Sequence, residues 1–319
     1  MVRRVSLDAA IHSLAGDPLT DILRLTQATS VMAGGIAAGG RWAVHFPPPG
    51  EMKISLLAKG GCWFRLDGHK KAIRGEPGDA VLLPGRKGFL VGSDLSAPPL
   101  DVRCLLAQKR HLFSTIGDGS EVLILAGGVT LDPRHADLVQ GALPPFLHVH
   151  ATAPQAAPIR WLIEQLLAEQ TARGAPGAFL SASMLAQLLF VQILRAHLAT
   201  APRLPAGWLR ALRDERLAAA LRLLHGEPAR DWKLEELARA AAMSRTTFAV
   251  RFKEAAGMAP LQYLTAWRMR LAERRLRDEA APISQIAAAL GYSSESAFSQ
   301  AFKRVTGKRP RDYRNEAWR

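Results

Sequence analysis

Cysteine is nearly absent from this chain: Cys62 and Cys104 are the only two in 319 residues, with no C-x-x-C pair. That argues against a disulfide framework or a redox pair and leaves two ordinary buried thiols as the expectation. No run of 18 apolar residues occurs, and the start MVRRVSLDAA lacks the long apolar stretch of a secretory leader. No membrane partner is therefore expected, and the cytoplasm is the expected location. Acidic residues are also scarce, with 28 Asp+Glu against 42 Lys+Arg, a net charge of +14. The shortfall is uneven: residues 203–319 carry a net +10 and residues 1–202 a net +4. Positive charge concentrated in one region is what contacts to phosphate require.

That basic region contains one pattern written twice. Leu237-Ala238 recurs as Ile286-Ala287, Met243-Ser244 as Tyr292-Ser293, Phe248 as Phe298, and Phe252-Lys253 as Phe302-Lys303. Gly257 recurs as Gly307, Pro260 as Pro310 and Tyr263 as Tyr313. The offset grows from 49 to 50 after the serine, so one residue has been added, and the unit is an internal duplication. Each copy reads as two short helices joined by a tight turn, at 234–255 and 283–305. Ser244 and Ser293 are positioned to start the second helices, the glycines to end them, and the prolines to stop any continuation. The Phe248/Phe252 and Phe298/Phe302 pairs, four residues apart, are core positions rather than intercalating wedges. Between the copies, Leu261 to Glu279 contains no glycine or proline. At 1.5 Å per residue it would form a rod about 25–30 Å long, against about 34 Å between successive major-groove faces.

Residues from about Arg216 to Arg314 resemble the DNA-binding domain of the AraC/XylS family of bacterial transcription regulators. The resemblance rests on LARAAAMSRTTFAVRFKEAAGMAPLQYL, WRMRLAERRL and ISQIAAALGYSSESAFSQAFKRVTGKRPRDYR. It implies base-facing positions at Arg245, Thr246, Ala249 and Val250 in the first recognition helix, with Thr247 and Arg251 meeting phosphate or sugar. In the second helix it implies Glu295, Ser296, Ala297, Ser299 and Gln300. Their chemistry suits a mixed readout, with Arg for guanine, Gln for adenine, Glu for cytosine and methyl groups for thymine. Ala242 stands where the second copy has the turn glycine Gly291, which forces an alanine towards positive φ at a cost of roughly 1 kcal/mol.

The first 150 residues have another texture, with short apolar runs such as MKISLLA, CWFRL and AVLLPG broken by Gly and Pro every 8 to 12 residues. That spacing indicates a small antiparallel barrel or sandwich, after a short helix from Asp17 to Leu25. GEPGDAVLLPGRKGFLVGSD resembles the second half-motif of a cupin, and the region resembles the cupin-type sensor that precedes the DNA-binding domain in many AraC-like regulators. A cupin metal would need a His-x-His pair, a carboxylate and a further histidine. Ser55 and Phe89 stand where histidines are expected, and His148 and His150 have no nearby carboxylate in sequence. Neither metal nor cofactor is expected. An apolar effector pocket walled by Trp42, Phe46, Leu56, Trp63, Phe64, Leu83 and Phe89 is the candidate binding site, with the same aromatics as simple barrel filling the alternative.

Two helical patterns follow, and the second, AFLSASMLAQLLFVQILRAHLA, is apolar on nearly every side, so more than one of its faces must be covered. The expected architecture is an α+β multidomain chain. It comprises a cupin-like antiparallel β-barrel (1–150), a helical dimerisation segment (151–200) and an all-α domain (208–319) with two helix-turn-helix motifs joined by a linker helix. The resemblance implies a sequence-specific regulator, an activator by the habit of the family. Its implied partners are double-stranded DNA, RNA polymerase, a small-molecule effector and a second copy of the chain. A cupin metalloenzyme with a DNA-binding tail and a non-specific architectural DNA binder are the competing readings.

Overall fold

The structure is a computed structural model that describes residues 16–107, 113–171 and 175–317. In chain order the elements are α1 (Pro18–Leu25), β1 (Thr29–Ala38), β2 (Ala43–Phe46), β3 (Met52–Lys59), β4 (Cys62–Leu66), β5 (Ile73–Gly75), β6 (Ala80–Leu83), β7 (Phe89–Gly92), β8 (Leu100–Asp101), α2 (Val102–Ala107), β9 (Phe113–Ile116), β10 (Val122–Thr130), α3 (Ala136–Gln140) and β11 (Leu147–Val149). Then come α4 (Ala157–Thr171), α5 (Ala178–Thr200), α6 (Trp208–Arg213), α7 (Glu215–Gly226), α8 (Leu234–Ala240), α9 (Arg245–Ala256), α10 (Pro260–Asp278), α11 (Ile283–Ala289), α12 (Glu295–Thr306) and α13 (Pro310–Ala317). The described residues form two compact units: those within 27–136 and 143–202, and those within 16–26, 137–142 and 203–317.

The first unit holds two sheets around one core. Their strand orders are β11-β6-β3-β10-β1-β9 and β5-β4-β7-β2-β8. Both are mixed, because β9 runs parallel to β1 and β8 parallel to β2, whereas the sequence pattern predicts an antiparallel barrel. The parallel pairs sit at sheet edges, where crossover connections replace hairpins. β1 alternates exposed and buried residues, as a strand with one wet face should, while all four residues of β6 are buried. Trp42, Leu57, Phe64, Leu83, Phe89 and Ile124 fill the space between the sheets. Cys62 is buried in this core, and burial pushes its thiol up to about 12. Cys104 is exposed.

The helices after the strands pack on this unit. α5 buries Ala186, Leu189, Phe190 and Ile193, and Gln187 both accepts from the Ser30 N–H at 3.0 Å and donates to the Ala28 carbonyl at 3.1 Å. By length and composition alone α5 would pass for a membrane span. Its other face leaves Phe179, Leu180, Met184 and Leu188 exposed, near-continuous at i, i+4 spacing, and α4 adds exposed Trp161.

The second unit is helical and includes two segments that the sequence division placed with the strands. α1 begins at the Asp17 cap and buries Leu19, Ile22, Leu23 and Leu25. Asp21 reaches His225 Nδ1 on α7 at 3.2 Å. Residues 137–142 are held by Trp208, which donates to the Leu138 carbonyl at 2.7 Å, and by Arg270, which donates to Asp137 at 3.0 Å. The sequence predicts the helix of the first segment, but the partners of both segments lie far along the chain.

Candidate nucleic-acid interface

Each half of the repeat builds the same small core. Phe248, Phe252, Phe298 and Phe302 are wholly buried, which removes them from any role against bases. In the second copy they pack with Ile286, Ala287, Leu290 and with Met269 and Leu276 of α10. Tyr263 and Tyr313 meet Phe252 and Phe302 edge-on at 5.8 and 5.5 Å, so the repeat is preserved in three dimensions. The recognition helices start at side-chain caps: Ser244 Oγ accepts from Thr247 N at 3.2 Å, and Ser294 Oγ accepts from Ala297 N at 3.1 Å. The second cap is therefore Ser294 and not Ser293, because the added residue precedes the cap. Gly257 and Gly307 close both helices at φ +80° and +79°.

The turns inside the two motifs differ in composition and agree in conformation. Ala242 sits at φ +50° and Gly291 at φ +79°. Alanine is admitted in the first copy at a conformational cost. In the second, a Cβ on Gly291 would lie 1.9 Å from the Ala229 carbonyl oxygen, so the closeness of backbone demands glycine there.

With the phenylalanines turned inward, the opposite faces are left to solvent. On α9, Arg245, Thr246, Thr247, Val250 and Arg251 are exposed and Ala249 is half-buried. On α12, Ser296, Ala297 and Gln300 are exposed, with Glu295 and Ser299 half-buried. Several of these side chains have protein partners. Arg245 donates to Glu235 at 2.9 Å, and this bond holds the Glu235 carboxyl below its ordinary range. Arg251 donates to Asp214 at 2.7 Å, the residue that also caps α7 through Arg216 N at 3.1 Å. Thr247 is partly committed to its cap, with its hydroxyl 2.8 Å from Ser244 Oγ. Glu295 lies 3.7 Å from Arg311.

Beside α9 opens a polar cleft of about 680 Å³ lined by Arg210, Arg213, Asp214, Arg216 and Arg251 among others. Arg210, Arg213 and Arg216 were not singled out from the sequence, although their spacing of three places them on one side of the α6–α7 corner. Four guanidiniums and three carboxylates, Asp214, Glu215 and Glu254, line this cleft, and Arg251 is already paired with Asp214. The loop that approaches Gly291 is fastened by Arg268 of α10, which donates to the Pro228 and Arg230 carbonyls. Burial pushes the Arg268 guanidinium below its ordinary value without a change in charge at neutral pH.

The comparisons with known proteins cover most of the chain. A Cupin family model matches residues 17–199 and a Helix-turn-helix domain model matches residues 237–316. A protein named as an AraC-like transcription regulator in Streptomyces antibioticus is 40% identical over 298 residues, covering 93% of this chain and 98% of that one. The chain belongs to the AraC family of transcription regulators. The HTH-type transcriptional regulator AlkR of Acinetobacter baylyi is 32% identical, over 87% of this chain and 92% of AlkR. The DNA-binding domain of AdpA, solved in complex with a target DNA, is 32% identical over 32% of this chain and 90% of that domain, with a TM-score of 0.30. This AraC-family protein is a DNA-binding transcription regulator with an amino-terminal cupin domain, and not an enzyme, which sets aside the metalloenzyme reading.

In the cupin domain of this regulator, Trp42, Phe64, Leu83 and Phe89 of the seven predicted pocket residues share one core cluster, with Phe46 packed against it. Trp42, Leu56, Phe64, Leu83 and Phe89 are buried between or within the sheets, and Trp63 faces outward with Arg74 over its ring at 5.4 Å. Phe46 lines a cavity of about 300 Å³ together with Gly34, Gly35, Ala126, Gly127, Pro47–Pro49, Val102 and Leu105. Its polar edge is Lys53 and Ser114. Small residues on neighbouring strands border this space, while the large aromatics fill the core.

Proposed function

We propose that this regulator reads a specific operator through two recognition helices, α9 and α12, laid in consecutive major grooves of one duplex. The observation that carries the reading is the doubled motif itself. Two capped helices each bury an aromatic pair and turn a polar, exposed face outward, with the 19-residue α10 between the motifs. At 1.5 Å per residue α10 is about 28 Å long, of the order of the roughly 34 Å groove repeat. Arg245, Thr246, Ala249, Val250, Glu295, Ser296, Ala297, Ser299 and Gln300 are assigned to base edges, and Thr247 and Arg251 to the backbone.

The cupin domain is assigned the role of sensor, with the 300 Å³ cavity as the seat of a small, mostly apolar effector. The exposed stripe Phe179, Leu180, Met184 and Leu188 on α5, with Trp161, is assigned to a second copy of the chain. Effector binding biases how the helical units are presented at a promoter, where RNA polymerase is recruited; the protein acts in the cytoplasm as an activator.

The test is fluorescence anisotropy with a selected operator against random DNA at fixed salt. A specific regulator keeps a preference of about 10³ or more for its site, whereas an architectural binder shows none. Gln300→Ala is expected to cost about 1–3 kcal/mol at one base position, and Arg251→Ala to weaken every sequence alike. Equal losses on all sequences for both variants would refute the division of roles.

A further inference from the structure

We propose that Asp79, His148 and His150 form a binding site for a divalent transition-metal ion in the cupin domain. The sequence offers only the His-Val-His pair; the fold supplies the carboxylate from 69 residues away. β11 pairs antiparallel with β6, with His148 opposite Val81, and Asp79 stands directly before β6. His148 and His150 project from the same side of the extended segment, which is the alternation a strand imposes. Their rings lie 3.9 Å apart between centroids. His148 Nε2 is 2.7 Å from Asp79 Oδ2, and His150 Nδ1 is 4.0 Å from the same oxygen. One donor atom from each residue falls within 4.8 Å of the other two.

Asp79 is built as a ligand is built. Its side chain is 3% exposed, and it accepts from two backbone N–H groups, Glu76 N at 2.9 Å on Oδ2 and Ala151 N at 2.7 Å on Oδ1. Outer-shell bonds of this kind fix the orientation of a metal-binding carboxylate. A hydrogen bond to His148 accounts for one imidazole; the second, beside the first and aimed at the same oxygen, does not follow from it.

Two imidazoles and a carboxylate suit zinc, cobalt or iron(II) rather than calcium or magnesium, which prefer oxygen donors. Tetrahedral zinc with ligands about 2.0–2.2 Å away separates them by about 3.3 Å. The 2.7 and 4.0 Å separations from Asp79 Oδ2 bracket that value, and the three donor atoms lie within 4.8 Å of one another. Three protein ligands leave a fourth position open on the side of His150, whose side chain is 65% exposed. This site shares no residue with the apolar cavity and does not depend on the DNA-binding reading.

The experiment is titration of the chelator-stripped full chain with zinc(II), against a chromophoric chelator, and with cobalt(II), followed by its visible absorption. One equivalent per chain with a four-coordinate cobalt spectrum is expected. His150→Ala, at an exposed position, and His148→Gln, which keeps a donor for Asp79, should each weaken zinc binding about 10-fold or more, since loss even of outer-shell partners costs 10–100-fold. Retained circular dichroism in both variants keeps folding out of the comparison. Less than one equivalent at saturating micromolar metal, or variants that bind as tightly as the native chain, would overturn the site.

Discussion

Exchanging the two turn residues of the repeat separates conformational strain from steric closeness. Gly291→Ala must accept a left-handed conformation, worth about 1 kcal/mol or slightly more for a residue with a Cβ. The new methyl would also lie 1.9 Å from the Ala229 oxygen, 2.7 Å from its carbonyl carbon and 2.9 Å from its Cα. That strand of backbone cannot retreat freely. Arg268 bonds the carbonyls on either side of Ala229, Arg230 stacks over Trp232 at 3.9 Å, and Trp232 donates to the Glu227 carbonyl at 3.0 Å. Overpacking against a fixed wall adds about 1–3 kcal/mol. The total is about 2–4 kcal/mol. At roughly 2–4 °C per kcal/mol for a unit near 150 residues, the midpoint should fall by about 5–15 °C. Ala242→Gly meets the opposite balance, since relief of strain is offset by the greater freedom of glycine in the unfolded chain, and it should stay within about 0.5 kcal/mol of native. Urea unfolding followed by tryptophan fluorescence reads both. A Gly291→Ala variant within about 0.5 kcal/mol of the native chain would refute the reasoning.

Two further outcomes are expected. Burial pushes the His225 imidazole below its ordinary 6.5, against the pull of Asp21, so the folded helical unit holds it neutral while the unfolded chain protonates it. The associated stability is present above about pH 6.5 and declines as pH falls through the lowered folded value. The urea midpoint should therefore drop between pH 7 and 5, and His225→Asn should flatten that drop; identical pH slopes in the two proteins would count against it. The α5 stripe predicts a dimer by sedimentation at micromolar concentration, converted to monomer by Leu180→Glu with Met184→Glu at unchanged helical content. A native chain that is already monomeric would remove the assignment.

The helical unit was legible because its signals are local and repeated. Phe248 and Phe252, the glycines that close α9 and α12, and the prolines after them occur at spacings that only one local structure explains. The second cap was misread by one residue, since an insertion beside two adjacent serines leaves the choice to backbone geometry. The cavity beside Phe46 is not legible in the sequence for a more general reason. Large aromatics such as Phe64 and Phe89 draw attention in a sequence, but the cavity is bordered largely by small residues, Gly34, Gly35, Ala126 and Gly127 among them. The convergence of Asp79 with His148 and His150 is set by strand register across 69 residues. Likewise, nothing local in residues 17–25 or 137–142 announces that they pack with α7 and α10.

Arg251 enters the proposed complex already neutralised. Its guanidinium lies on Asp214, as that of Arg245 lies on Glu235, so docking is an exchange of anions and not the capture of free cations. A duplex has to displace a carboxylate at each of these positions, and the evicted carboxylate then stands close to the incoming chain. Ionic strength weakens the internal pairs along with the intermolecular ones. The dependence of affinity on salt should accordingly be shallower than a count of arginines at the interface would suggest, with discrimination among sequences falling more heavily on uncharged groups such as Gln300.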